Sequence, residues 1–385
     1  MTAVISHFQY IYFVFYFTIA IFSGFTIPYL NNLDFSNTKV GFMMSLLYLF
    51  GVIGQSLTGY ICDLKGTIKK IFFLWMVFLA TSIFIFFKLN SQTQLIIFLC
   101  IIGFFQSSVF ALLDSWVMES HEIVKNTFGP IRAFGSIGWG ISTVIVGKMI
   151  DKLGWGIIGK LYVIFTFILL LISYRAKDAK HDTHDMDTDP ITFNSLKALQ
   201  KNKKYIFLLV IFFLLYFSFH AIGMFSVILI DDFGGTKTHI GLFWLLTALS
   251  EVPILLNAKK LMNKLKPSFL LIISSFFFFL RTLLTAFANS VISIILLSTL
   301  QMLSFSILLF ISKYLIDDVS PNHLKTSSQT IATALSAGLS GIISLNLSGY
   351  LADKIGIQNM LFFVSCLCII GFVLSIKYYK EDILN

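Results

Sequence analysis

Phe110-Ala-Leu-Leu-Asp114-Ser-Trp-Val-Met118, followed by Phe128-Gly-Pro-Ile-Arg132-Ala-Phe-Gly135-Ser-Ile-Gly138-Trp139, reads as two arms of an apolar hairpin. It carries one acid and one base at the level where hydrocarbon is expected. A charge at a bilayer centre costs roughly 2.5–3.5 kcal/mol on insertion scales, so such a pair marks either a functional site or a buried ion pair that fixes helix packing. Arginine usage sharpens the first reading. Arg132, Arg175 and Arg281 are the chain's arginines, and every other base among its 28 Lys+Arg is lysine. Arginine at two positions inside apolar runs points to a need for the planar, permanently charged fork rather than for charge alone.

Composition sets the class around this hairpin. The 385-residue chain is 57% hydrophobic and 12% charged, against about 25% charged in globular domains. This is a polytopic, all-α membrane protein, and no hydrophilic stretch is long enough for a soluble domain. The net charge of +9 belongs to lysines flanking membrane spans and implies no nucleic-acid partner. Cys62, Cys100, Cys366 and Cys368 lie in or beside apolar runs without the spacing of a metal site. The N-terminus lacks a basic n-region and a small-residue cleavage site, so the first apolar run is expected to stay as a helix.

Runs of about 20 apolar residues give twelve transmembrane helices near residues 8–29, 39–62, 70–88, 94–118, 127–149, 156–174, 205–230, 238–258, 268–287, 291–314, 328–350 and 358–378. Lysines collect in alternate loops: Lys65, Lys69 and Lys70, then Lys177 to Lys204, then Lys259 to Lys266. The opposite loops carry scattered ones such as Lys39, Lys88 and Lys237. The positive-inside rule therefore places both termini in the cytoplasm of a bacterial inner or plasma membrane. The polar interval divides the chain into a six-helix bundle at 1–174, a linker at 175–204 and a second six-helix bundle at 205–385. Within the linker, Asp178 to Pro190 alternates acids with His181 and His184 and reads as solvated rather than metal-binding. Gly147-Lys-Met-Ile-Asp151-Lys-Leu-Gly154 closes the fifth span, and Gly349-Tyr-Leu-Ala-Asp353-Lys-Ile-Gly356 closes the eleventh. A shared pattern half a chain apart is the internal symmetry expected of a transporter built from two related bundles.

After the second span comes Gly59-Tyr-Ile-Cys-Asp63-Leu-Lys65-Gly66-Thr-Ile-Lys69-Lys70. It resembles the loop signature of the major facilitator superfamily, in which the basic residue directly follows the acid, whereas here Lys65 is displaced by one position. Glycine at 59 is expected to let neighbouring helices approach, Asp63 to bond a helix N-terminus or a base, and the lysines to hold the loop at the inner leaflet. The corresponding loop of the second half, Lys259 to Lys266, has Asn263 in place of the acid and lacks both glycines.

Within that superfamily, Phe128 to Trp139 is similar to the fifth helix of the lactose permease family. The resemblance implies that Asp114 and Arg132 bind substrate and that Trp139 is the wall against which a sugar stacks. Asp114 and Arg132 stand 18 residues apart, which lets two antiparallel helices rising 1.5 Å per residue bring both charges to one depth. Arg281 matches that family's ninth-helix arginine, but Gln301 and Ser304 stand where it has its proton-handling histidine and glutamate, so galactoside specificity is not supported. Phe219-His220-Ala221 and Gly241 to Glu251, with Trp244, resemble instead the phenylpropionate-permease and nucleoside-permease branches, of MFS_1-like type.

These readings imply a secondary active transporter, a symporter for a small polar solute such as a sugar, nucleoside or small aromatic acid. Gln55, Gln106 and Gln301 are candidate hydrogen-bonding groups for substrate. His220, Glu251 and Arg281 are the candidates for proton coupling, because an acid in apolar surroundings, here beside Pro253, is suited to take up and release a proton. The coupling ion is a proton, no other cofactor or metal is expected, and the chain is expected to work as a monomer among membrane lipids. A proton-driven exporter of the same fold is the alternative, although the fifth helix lacks the antiporter G-x-x-x-G-P-x-x-G-G pattern. A non-transporting receptor would need a large partner surface that no loop is long enough to supply. No nucleotide-binding loop and no nucleophile with a base points to an enzyme. If Asp63 belongs to a gate, Asp63→Asn slows uptake of a transported solute while equilibrium affinity stays nearly unchanged; a large loss of affinity in a binding titration would assign it to the site instead.

Overall fold

The computed structural model describes residues 2–120, 127–178, 199, 202–321 and 324–384. Among them are twelve helices long and apolar enough to cross a membrane and no strand: α1 (Ile5–Asn32), α2 (Asn37–Lys65), α3 (Lys69–Phe86), α4 (Gln92–Met118), α5 (Phe128–Leu153), α6 (Ile157–Tyr174), α7 (Lys203–Asp232), α8 (Lys237–Ala258), α9 (Pro267–Ala286), α10 (Val291–Val319), α11 (Ser328–Ile355) and α12 (Ile357–Ile383). The tract with His181 and His184 and the tip of the Asp114–Arg132 hairpin lie outside the described residues. Helices are the expected form, because hydrocarbon supplies no partner for a backbone N–H or C=O and a helix satisfies both within one segment.

The chain forms two compact units: Met1–Phe35, Met43–Asp185 and Ile230–Leu249 make the first, and Ser36–Phe42, Met186–Leu229 and Ser250–Asn385 the second. In the first, α1 packs on α5, where the Ser142 hydroxyl donates to the Phe17 carbonyl at 2.7 Å. In the second, the Ser344 hydroxyl of α11 donates to the Phe217 carbonyl of α7 at 2.6 Å. The same serine-to-carbonyl contact thus recurs half a chain on. Between lipid-equivalent helices there is little hydrophobic drive to associate, so small residues and such interhelical bonds set the contacts. The second unit's core gathers Tyr205, Phe212, Leu271, Phe278, Ile311 and Tyr378 from α7, α9, α10 and α12.

The repeated G-x-x-x-D-K-x-G stretch has a repeated job. In the first unit the Asp151 carboxylate accepts the N–H groups of Lys237 and Thr238, each at 2.9 Å, and the Thr238 hydroxyl at 2.6 Å. In the second, Asp353 accepts the N–H groups of Asn37 at 3.0 Å and Thr38 at 2.8 Å and the Thr38 hydroxyl at 2.6 Å. Each aspartate caps a helix other than its own, satisfying orphan donors and meeting the positive end of the helix dipole. The glycine four residues earlier makes room: a methyl on Gly147 would stand 2.4 Å from the Lys237 carbonyl oxygen, and one on Gly349 2.5 Å from that of Asn37.

The loop after α2 ties α3 to the end of α6. A methyl on Gly59 would meet nothing within 4 Å among the described residues, so none of the described helices approaches this glycine closely. Gly66 sits at φ +60° and ends α2 in the left-handed turn that glycine tolerates. Asp63, Lys65 and Lys70 are exposed. Lys69 instead donates to the carbonyls of Tyr174 at 2.7 Å and Ala176 at 2.8 Å, closing the C-terminal end of α6. In return Asp178 accepts the Lys69 N–H at 2.9 Å and the Thr67 hydroxyl, capping α3.

Loss of a side-chain cap costs about 0.5–2 kcal/mol. Asp151→Ala and Asp353→Ala should therefore each lower the melting temperature of the purified protein, and two near-identical losses are expected because the two caps have the same three bonds. Unchanged melting in both would show these caps to be energetically idle.

Candidate functional site

Two partly buried polar constellations lie among apolar helices, one in each unit. In the first, the Tyr12 hydroxyl on α1 donates to Asp114 on α4 at 2.6 Å. Tyr12 stacks on Tyr16 one turn later, with ring centroids 6.0 Å apart, and the Arg132 guanidinium from α5 lies 4.3 Å from the Tyr16 ring centroid. The acid and base of the hairpin are thus both brought onto one face of α1, joined by two tyrosines. A guanidinium over a ring gains a favourable cation–π contact with its flat face. Gln106, two turns before Asp114 on α4, is half-buried with its side-chain oxygen enclosed and no hydrogen-bond partner among the described residues.

Trp139 lies two turns beyond Arg132 on α5. Its ring meets that of Trp244 edge to face, centroids 6.2 Å apart, and the Trp244 N–H donates to the Gly24 carbonyl at 3.1 Å. That carbonyl is free to accept because α1 breaks between Ser23 and Thr26. Trp116 is buried, and its N–H donates to the Lys177 carbonyl at 2.8 Å, which makes it a packing residue. Gln55 is exposed on α2 and is not gathered with these groups.

In the second unit, Arg281 of α9 donates to the Gln301 side-chain oxygen, and the Gln301 amide donates to Glu251 of α8 at 2.9 Å. Gln301 spends both ends of its amide in this chain, accepting from the base and donating to the acid. Arg281 and Gln301 are each 3% exposed and Glu251 is half-buried, so one neutral group links a buried base to a partly accessible acid. The helix under Gln301 is irregular. Residues Ser298–Met302 wind as a 3-10 segment between the α-helical stretches Val291–Leu297 and Phe305–Val319. Mid-helix departures of this kind mark strain or function. The freed carbonyls are met by hydroxyls: Ser306 donates to the Gln301 carbonyl at 3.0 Å and Ser274 to that of Ser304 at 2.7 Å. Ser304 itself therefore supports the break.

His220 stands apart from this chain. It is buried on α7 and pairs through a ring nitrogen with the Ala337 carbonyl at 3.1 Å. Ala337 belongs to a π-helical turn at Ala334–Leu339 of α11, where the widened ladder presents a carbonyl for a side chain to take.

Sequence reading missed Tyr12 and Tyr16 because aromatics are everywhere in this chain. Their i, i+4 spacing on α1 was the available signal.

The family model described as MFS_1 like family matches residues 5–364. The maltose permease of Geobacillus stearothermophilus is 23% identical over 377 residues, covering 96% of this chain and 94% of that protein. The raffinose permease of Escherichia coli is 23% identical over 398 residues, covering 94% and 90%. Among solved structures, a variant of the nucleoside transporter NupG superposes with a TM-score of 0.86 at 16% identity, over 98% of this chain and 99% of that one.

Lysine keeps the charge of Arg132 but loses the flat face that lies on Tyr16 and the paired donors. Arg132→Lys is therefore expected to weaken binding of a transported solute at least tenfold by equilibrium titration, with Tyr12→Phe, which removes a bond to Asp114, falling in the same direction. Normal binding by both would make the cluster a structural charge match.

Proposed function

The chain belongs to the MFS_1 like family and is an integral membrane transporter rather than an enzyme, and on that premise we propose that it takes up a sugar or nucleoside by proton-coupled symport. The observation that carries the proposal is the Arg281–Gln301–Glu251 chain. A carboxylate tied through a neutral amide to a permanent cation inside an apolar helix pack changes the local balance of charge when it takes a proton, and the irregular turn under Gln301 gives the helix a place to respond. The names of the relatives, maltose permease and raffinose permease, and of the nucleoside transporter support a ring-shaped, hydroxyl-bearing solute.

Substrate recognition falls to the first unit's cluster. Asp114 accepts hydroxyl hydrogens, Arg132 donates to solute oxygens, Gln106 offers an enclosed acceptor, and Trp139 supplies an apolar face for a ring. Transport follows alternating access, in which proton and solute together favour one exposure of the site over the other. The protein works as a monomer with no prosthetic group, in a bacterial plasma membrane with both termini cytoplasmic.

Linkage supplies the test. A group that cannot change its protonation cannot make solute affinity depend on pH. Glu251→Gln reconstituted in liposomes should exchange labelled solute down its own gradient yet lose accumulation driven by an imposed pH gradient, with maltose, raffinose and uridine as the first solutes. Undiminished accumulation by Glu251→Gln would move the proton to another group or remove it from the mechanism.

A further inference from the structure

At one end of the first unit, Phe84, Phe87 and Lys88 at the close of α3 face Leu153, Ile157 and Lys160 around the start of α6 across a cleft of about 560 Å³. The two helix ends are held at one level, since a methyl on Gly159 would stand 3.2 Å from the Phe84 Cα. Both lysines are exposed, and among the described residues neither makes an ion pair. Lys88 does not extend into solvent: its Nζ lies 4.1 Å from the Phe84 ring centroid, folded back onto the cleft wall.

Each lysine also heads an exposed apolar stripe. Below Lys160 on α6, Val163, Ile164, Phe167 and Leu171 are exposed at helical spacing; on α3, Leu74, Val77 and Phe78 continue the line that ends in Lys88. Lys148 and Lys152 at the end of α5 are also exposed, but Lys88 and Lys160 are the lysines that line the cleft. Two cations above paired apolar tracks match one ligand chemistry, a phosphodiester with acyl chains.

We propose that the α3/α6 cleft is a binding site for an anionic phospholipid, its head-group phosphate between Lys88 and Lys160 and an acyl chain along the stripe from Val163 to Leu171. The walls are apolar, so a free phosphate would leave most of the cleft unmatched. A lysine that merely reaches for the membrane surface would accept any head group and would not fix where a chain lies.

The test uses the purified full chain in neutral detergent, titrated with dioleoyl phosphatidylglycerol, dioleoyl phosphatidylcholine or inorganic phosphate, with bound lipid counted by native mass spectrometry. Phosphatidylglycerol is expected to bind at least tenfold more tightly than phosphatidylcholine. The Lys88→Gln/Lys160→Gln double variant should lose that preference while melting as the parent does without lipid. Arginine at both positions should keep it, as should Lys354→Gln, an exposed lysine of the second unit. Phosphatidylglycerol with a photoactivatable chain should label α6 between Val163 and Leu171. Equal binding of the two lipids, an undiminished preference in the glutamine double variant, displacement by inorganic phosphate, or labelling spread evenly over the lipid-facing helices would each overturn the proposal.

Discussion

Hydrocarbon offers nothing to a backbone polar group, and the rest of this structure depends on that constraint. Most of the chain meets it with uninterrupted helices. Where a helix is interrupted, a side chain answers. The break inside α10 is met by Ser274 and Ser306, the widened turn of α11 by His220, and the break in α1 by the indole of Trp244. Among the described residues these irregular turns fall where hydroxyl, imidazole or indole groups are at hand, and the one in α10 also carries Gln301 of the Arg281–Gln301–Glu251 chain.

Helix ends follow the same rule by a different route. N-terminal amides of α2, α3 and α8 are taken by aspartates from other segments, Asp353, Asp178 and Asp151. A carboxylate suits the task because it accepts several bonds at once and opposes the dipole of the helix it caps. Each cap also fixes where two segments meet, so short polar contacts set the relative depth of long apolar helices that would otherwise slide with little cost.

The twelve spans were legible because the membrane demands long apolar runs, and hydropathy records that demand directly. Asp114, Arg132, Arg281, Gln301 and Glu251 were legible as chemistry because polar groups are rare within such runs. Their pairing was less so: Gln301 stood out as a substrate ligand, and its place between Arg281 and Glu251 required the three-dimensional crossing of α8, α9 and α10. The 3-10 segment at Ser298–Met302 contains neither glycine nor proline, so no local signal announced it. Gly59 illustrates the reverse case, a motif glycine whose expected neighbour is absent among the described residues. The repeated G-x-x-x-D-K-x-G was visible, but its partners were not, although Asn37-Thr38 and Lys237-Thr238 share the threonine that each aspartate bonds.

The π-helical turn at Ala334–Leu339 has a geometric consequence for the helix that contains it. Such a turn accommodates one residue more than an α-helical turn, and one residue corresponds to about 100° of rotation at 3.6 residues per turn. The segment from Lys325 to Thr333 is thereby phased differently from the segment after Ser340, so α11 presents two unrelated azimuths to its neighbours. Gln329 meets the Lys313 carbonyl and Asp317 on one azimuth, while Ser344 meets Phe217 on the other. A single helix thus meets two partners, α10 and α7, from the two sides of this turn.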